Sequence, residues 1–369
     1  MHLQLTKECI IVSRKYINSN MLLNLRVTGL LGEYSYNLDF SEEKGPAIKF
    51  ITGPNGYGKT TLLYLIFSLF RQRFENFADV EFDNLIFVFD DGKSIEVVKK
   101  EIEHQTYKED SSDLPENIYN KQLEIKYKYP DGHLLSSITY NLDGHFNSDF
   151  NSDFVHKFND ANLRIFLNSQ QCYWIDESRL INKSRVSVNK DSIAKESTMV
   201  AISDNIKEKY EKVRFFLNED FTTKNGLSEK ETTEANSFVE RIEMFKKIID
   251  KYKFTRKTLE TVPQYEGIRF RVNDEMRKII LPEDLSSGEQ ELIDIFFELI
   301  FDAPKDSLVL IDEPETSQHL MWQVVFYHNI SSVAKSKNLQ IIVATHSPQV
   351  FDGKWERSID LYAQSRKSK

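Results

Sequence analysis

The chain has 369 residues, 40% hydrophobic and 28% charged, which is ordinary for a globular protein and long enough to bury a large core. Its formal net charge of −9 excludes a protein that coats nucleic acid with its whole surface, while leaving room for a local basic groove. The two cysteines, Cys9 and Cys172, form neither a metal-ligand spacing nor a disulfide framework, so a reducing, cytoplasmic setting is expected.

Residues 1–20 place Lys7, Glu8, Arg14 and Lys15 around a short apolar patch and do not read as a signal peptide. Strands are expected at 21–27 and 34–40, joined near Gly29 and Gly32. A short buried strand at 48–52, a glycine-rich loop at 53–58 and a helix over 59–72 follow. Between 80 and 141, β-formers cluster at 85–89, 94–99, 123–129 and 134–140. Asp90-Asp91-Gly92 and Pro130-Asp131-Gly132 are the turn signals between them. The sequence NSDF at 147–150 recurs at 151–154 and reads as a duplication in a surface loop.

Two helices are expected between 204 and 257, separated by a connector at Asn225-Gly226. The first spaces Ile206, Tyr210, Val213 and Leu217. The second carries a heptad-like stripe of Phe238, Ile242, Phe245, Ile249 and Tyr252, which reads as core or a short coiled-coil seam. A β-hairpin at 268–272 and 278–281 turns around Asn273-Asp274. A helix at 288–301, a strand at 307–311, a helix at 318–333 and a strand at 339–344 complete the pattern. This alternation predicts an α/β fold with a mainly parallel core sheet, an antiparallel β subdomain and an inserted helical hairpin. The longest apolar runs, 62–70 and 292–301, are shorter than the about 20 residues that span a bilayer, so no membrane span is expected.

Four segments carry chemistry. GPNGYGKT at 53–60 fits the phosphate-loop pattern, and it stands between an expected strand and an expected helix. Its glycines let backbone N–H groups turn toward phosphate oxygens, and the helix N-terminus adds its positive dipole end. Lys59 would reach the β- and γ-phosphates and the Thr60 hydroxyl would hold Mg²⁺. Gly53, Asn55, Gly56, Gly58, Lys59, Thr60 and Thr61 are the candidate ATP contacts. The run at 307–313 is an apolar strand ending in two carboxylates. Asp312 suits the Mg²⁺ shell, and Glu313 suits orientation or deprotonation of an attacking water. LSSGEQ at 285–290 is a small-residue turn before a helix, a second anion-binding helix N-terminus. Finally, His346 follows an apolar strand directly and could donate to a γ-phosphate.

The ordered set GPNGYGKT, LSSGEQ, LVLIDEPE and ATHS resembles ABC-type ATPases of the SMC, Rad50, RecF and OLD group. The resemblance implies one ATPase head, with an N-terminal extension at 1–20, because Met21-Leu22-Leu23 looks like the usual start of such proteins, an N-lobe at 21–180, a helical insertion at 190–262 and a C-lobe at 263–369. It also implies a homodimer or higher homo-oligomer in which Ser286 and Gly288 face the γ-phosphate held by Lys59 of a second copy. The stretches at 312–323 and 339–361 are similar to the ATPases of Septu and retron-associated antiphage systems. That likeness implies a cytoplasmic ATPase that controls a separate HNH-type nuclease. The stretch after His346 is too short for the nuclease domain of OLD proteins, and the insertion is too short for a long coiled coil.

The sequence departs from the group in three places. Ser287 stands where transporters have Gly. Gln318 and Leu320 flank His319 where the group often has Leu and Pro. The glutamine-loop residue is open among Gln170, Gln171 and Glu177. The alternative is a DNA-repair ATPase that contacts nucleic acid through Arg241, Lys246, Lys247, Lys251, Lys253, Arg256 and Lys257.

Overall fold

The computed structural model describes residues 21–42, 45–106, 116–141, 161–176, 229–254, 257–262, 267–273, 275–276, 278–280 and 284–365. The N-terminal extension, the NSDF repeat and the first helix of the expected hairpin lie outside the described residues.

The chain starts with β1 (Leu22–Leu30) and β2 (Tyr34–Asp39), then β3 (Ala47–Thr52) and helix α1 (Lys59–Phe70). Four strands follow: β4 (Asn84–Phe89), β5 (Ser94–Thr106), β6 (Glu116–Lys128) and β7 (Leu134–Asn141). With β3 set aside, they form a six-stranded antiparallel sheet in the order β2-β1-β4-β5-β6-β7. Strict alternation along β4 buries Leu85, Phe87 and Phe89 while the intervening side chains are half-buried, the signature of a sheet with one packed face.

Next come helix α2 (Ala161–Asn168), β8 (Cys172–Ile175), helix α3 (Glu229–Lys251), β9 (Lys257–Val262), β10 (Gly267–Val272) and β11 (Ile279–Ile280). Strands β9 to β11 make a small antiparallel sheet with β10 in the middle. The chain ends with helix α4 (Ser287–Phe297), β12 (Leu308–Asp312), helix α5 (Leu320–Lys337), β13 (Gln340–Thr345), β14 (Ser358–Asp360) and helix α6 (Leu361–Ser365). The expected helix at 288–301 leaves α geometry at Glu298 and finishes as a π-helical turn to Asp302. There Lys337 Nζ donates to the carbonyls of Leu299, Ile300 and Ala303.

The five-stranded sheet has the order β14-β3-β13-β12-β8, and its pairings are all parallel. It is a septum between two apolar cores. Ile48, Phe50, Val309, Ile311, Ile341 and Val343 face the core built by α3, α4 and α5. Ile51, Leu308, Leu310, Ile342 and Ala344 face the core shared by α1 and the antiparallel sheet. Burial on both faces is why β12 and β13 read as unbroken apolar runs. The stripe from Phe238 to Tyr252, on α3 and the residue that follows it, belongs to the first core.

Candidate nucleotide site

Parallel strands bring their carboxyl ends to one edge, and in this sheet β3, β13 and β12 are neighbours. The loop at 53–58, Asp312-Glu313 and Thr345-His346 therefore converge, although more than 250 residues separate the first from the others. The loop takes backbone conformations that side chains resist: φ is 147° at Gly53, 86° at Gly56 and 84° at Gly58. Space adds a second constraint at Gly58, where a Cβ would come within 3.0 Å of Leu30 Cδ2. Tyr36, whose phenol is pushed up by burial, donates to the Tyr57 carbonyl at 3.1 Å, and the Tyr57 ring stacks on Tyr34. The loop is thereby braced from the antiparallel sheet while Asn55 and Gly56 stay exposed.

Lys59 is 5% exposed. Its Nζ donates to the carbonyls of Gly53 at 3.1 Å and Pro54 at 3.4 Å and lies 3.7 Å from Glu313 Oε1. The Thr60 hydroxyl donates to Asp312 Oδ1 at 3.2 Å, and Asp312 is 1% exposed. A hydroxyl beside a carboxylate at the mouth of a glycine loop is a hard-oxygen donor pair, which suits Mg²⁺ and not a soft metal. Thr61 is half-buried on the first turn of α1.

Glu313 adopts φ of 41°, unusual for a non-glycine residue, and its N–H donates to the Ala344 carbonyl at 2.9 Å. This holds its carboxylate between Lys59 and His346, whose Nδ1 is 3.7 Å from Glu313 Oε2. His346 also lies 3.2 Å from Glu315, a buried carboxylate that no spacing rule singles out. The only sequence signal for it is an acidic residue two places beyond the paired carboxylates.

Ser286 and Gly288 are not hydrogen-bonded to the glycine loop among the described residues. The backbone N–H and hydroxyl of Ser286 both donate to Glu289 at 2.9 Å, and Lys257 Nζ binds Glu289 at 2.8 and 3.0 Å. Gly288 is buried for a steric reason: a Cβ there would stand 2.3 Å from the Ser317 carbonyl oxygen. Helix α4 can thus approach the segment after β12 only with a glycine at this position.

Topology also removes two glutamine-loop alternatives. Gln170 and Gln171 precede β8 and so lie at the amino edge of the parallel sheet, away from the glycine loop. Glu177 lies outside the described residues. The basic cluster is kept together in part. Lys246, Lys247, Lys251 and Lys253 line one open groove, which they share with Glu243 and Asp250. Lys251 also donates to Asn329, whereas Lys257 pairs with Glu289 and the Arg241 guanidinium lies over the rings of Phe238 and Phe301. Arg256 is outside the described residues.

Residues 48–352 match the model of a family described as "AAA domain, putative AbiEii toxin, Type IV TA system". No curated protein matches the chain. Similar solved structures include an Smc head bound to the C-terminal winged-helix domain of ScpA, 14% identical over 92% of this chain and 93% of that one, with a TM-score of 0.44. They also include a Pyrococcus furiosus Smc head with an extended coiled coil, bound to the C-terminal domain of ScpA, 14% identical over 92% of each chain with a TM-score of 0.40. A third is the SMC head domain of Thermotoga maritima, 13% identical over 91% of this chain and 92% of that one, with a TM-score of 0.38. Among the described residues, no helix is long and apolar enough to cross a membrane.

Proposed function

The chain belongs to this AAA-domain family, and on that premise we propose that it binds ATP at residues 53–60 and hydrolyses it. The observation that carries the reading is the convergence of Lys59, Thr60, Asp312, Glu313 and His346 at one edge of the parallel sheet. In this reading the backbone N–H groups of the glycine loop and the start of α1 cradle the phosphates. Lys59 exchanges the carbonyls of Gly53 and Pro54 for phosphate oxygens. Mg²⁺, when held by Thr60 and Asp312, supplies neutralisation of the phosphate charge. Glu313 orients a water molecule and takes its proton on the carboxylate, and His346 meets the γ-phosphate. Ser286 and Gly288 complete the site of a second copy, so the working unit is a homodimer or a larger homo-oligomer.

Titration with ATP and a phosphate-release assay test this reading. Lys59→Ala is expected to weaken ATP binding roughly 10- to 100-fold, the loss of a charge-assisted contact. Equal affinity in the variant and the parent would remove the phosphate-loop assignment.

The biological setting proposed is antiphage defence, with ATP turnover restraining a separate nuclease of the HNH class. The toxin and toxin–antitoxin terms in the family's description support it, as does the likeness of residues 312–323 and 339–361 to Septu-type ATPases. Purification from the native operon should recover a nuclease with this chain. Recovery of the ATPase alone, with no effector at stoichiometric level, would remove that setting while leaving the ATPase reading intact.

A further inference from the structure

Glu315 is 5% exposed, and among the described residues its ion-pair partner is His346, with no Lys or Arg beside it. One oxygen, Oε1, does nearly everything. It accepts from the Thr345 hydroxyl at 2.6 Å, from the His346 N–H at 2.8 Å and from the Ser347 N–H at 3.2 Å. It also stands 3.2 Å from His346 Nδ1. The other oxygen, Oε2, is buried without a hydrogen-bond partner among the described residues. A buried carboxylate with one orphan oxygen is costly to keep, and packing alone gives no reason for it.

The far side of the same loop is tied to α5. Ser347 Oγ donates to Gln323 Oε1 at 2.6 Å, and Gln323 Nε2 donates to the Gln318 carbonyl at 3.3 Å. Glu315 itself sits two residues after Glu313, on the segment that leaves β12. It is therefore the link between the two segments that present Glu313 and His346.

We infer that Glu315 is a positioning residue, which holds the peptide after β13 and with it the backbone that presents His346. The Nδ1 edge of the ring stands beside the same carboxylate. What the ring meets rests on the ATPase reading above. The anchoring of its backbone does not.

Two readouts separate these. In Glu315→Ala, ATP turnover is expected to fall about 30-fold while ATP affinity stays within about 3-fold, the mark of an interaction needed only for the chemical step. Glu315→Gln keeps an acceptor oxygen for the same N–H and O–H groups and should restore turnover to within about 5-fold of the parent. In a His346→Ala background, Glu315→Ala should add less than about 2-fold, because the two residues act as a unit. Equal turnover in Glu315→Ala and the parent overturns the inference, as does a full additive loss in the double variant. The second readout needs no hydrolysis: hydrogen-exchange protection of the His346 and Ser347 backbone amides, followed by NMR. The parent and Glu315→Gln should protect both amides, and Glu315→Ala should lose the protection. Unchanged protection in Glu315→Ala overturns the inference. A parent that protects both amides yet has no ATP turnover overturns the ATPase reading alone.

Discussion

The two edges of the parallel sheet use their polar groups in different ways. At the amino edge, each such group closes the fold. The Gln340 amide accepts from the Leu22 N–H at 3.1 Å and donates to the Leu22 carbonyl at 2.7 Å, stitching β13 to the antiparallel sheet. Lys337 caps the carbonyls at the end of the π-helical turn, and Asn338, in a left-handed conformation, donates to Asp306. At the carboxyl edge the polar groups, buried Lys59 and Asp312 and exposed Thr60 and His346 alike, bind one another instead. Lys59 rests on loop carbonyls and near Glu313, Thr60 on Asp312, and His346 near two carboxylates. Left-handed backbone at non-glycine residues occurs at both edges, at Asp306 and Asn338 on one and at Glu313 and Ser317 on the other. The difference teaches that polar burial alone does not mark a site. What marks it is charge held against charge, where a ligand can replace the internal partners.

Substitutions at the two edges should accordingly fail in different ways. The largest effect is expected at Glu313. Glu313→Gln should lower ATP turnover roughly 100- to 10,000-fold while ATP still binds, as loss of a general base does. Single-turnover phosphate release checks this, and unchanged turnover would move the water-orienting role elsewhere.

Gly288→Ala comes next, because its new methyl group meets the Ser317 carbonyl and the backbone between α4 and the segment after β12 must shift. A stability loss of about 1–3 kcal/mol is expected from overpacking, read as a lowered denaturant midpoint. A fall in turnover greater than the fall in ATP affinity should accompany it. Full stability in this variant would show that the close approach is not maintained in solution.

At the amino edge, Gln340→Ala should cost about 2 kcal/mol by leaving Leu22 without its side-chain partners. ATP affinity should not change, and a change would break the contrast between the edges. The smallest effect is expected from Lys257→Ala. It removes the cation from Glu289 but leaves the Ser286 hydrogen bonds in place, for a loss of about 1–2 kcal/mol in urea unfolding.

Much of this architecture is legible in the sequence because its signals are local. The strands at 84–89 and 134–141 follow from clustered β-formers bounded by turn signals. The glycine loop follows from residue type and spacing, and the carboxylates after β12 from an apolar run that ends in charge. The elements the sequence does not announce are α2, β8, β9, β14 and α6. Strand β8 is four residues long at the sheet edge, too short for periodicity, and it exists because β12 offers it a parallel partner. Strand β9 begins at Lys257, inside what reads as a basic helical face.

The convergence of the site is where sequence and tertiary structure part company. Residue identity alone determined that this chain carries a phosphate-loop pattern, paired carboxylates at a strand end and a histidine after an apolar strand. Only the fold decided that β13 lies between β3 and β12, which places Lys59, Glu313 and His346 together. Strand order is a property of packing between distant segments, and it leaves no mark on the spacing within any one of them. The same reason hides Glu315. Its sequence neighbours say only that it is acidic, whereas its burial against the peptide after β13 arises from two strands aligned side by side.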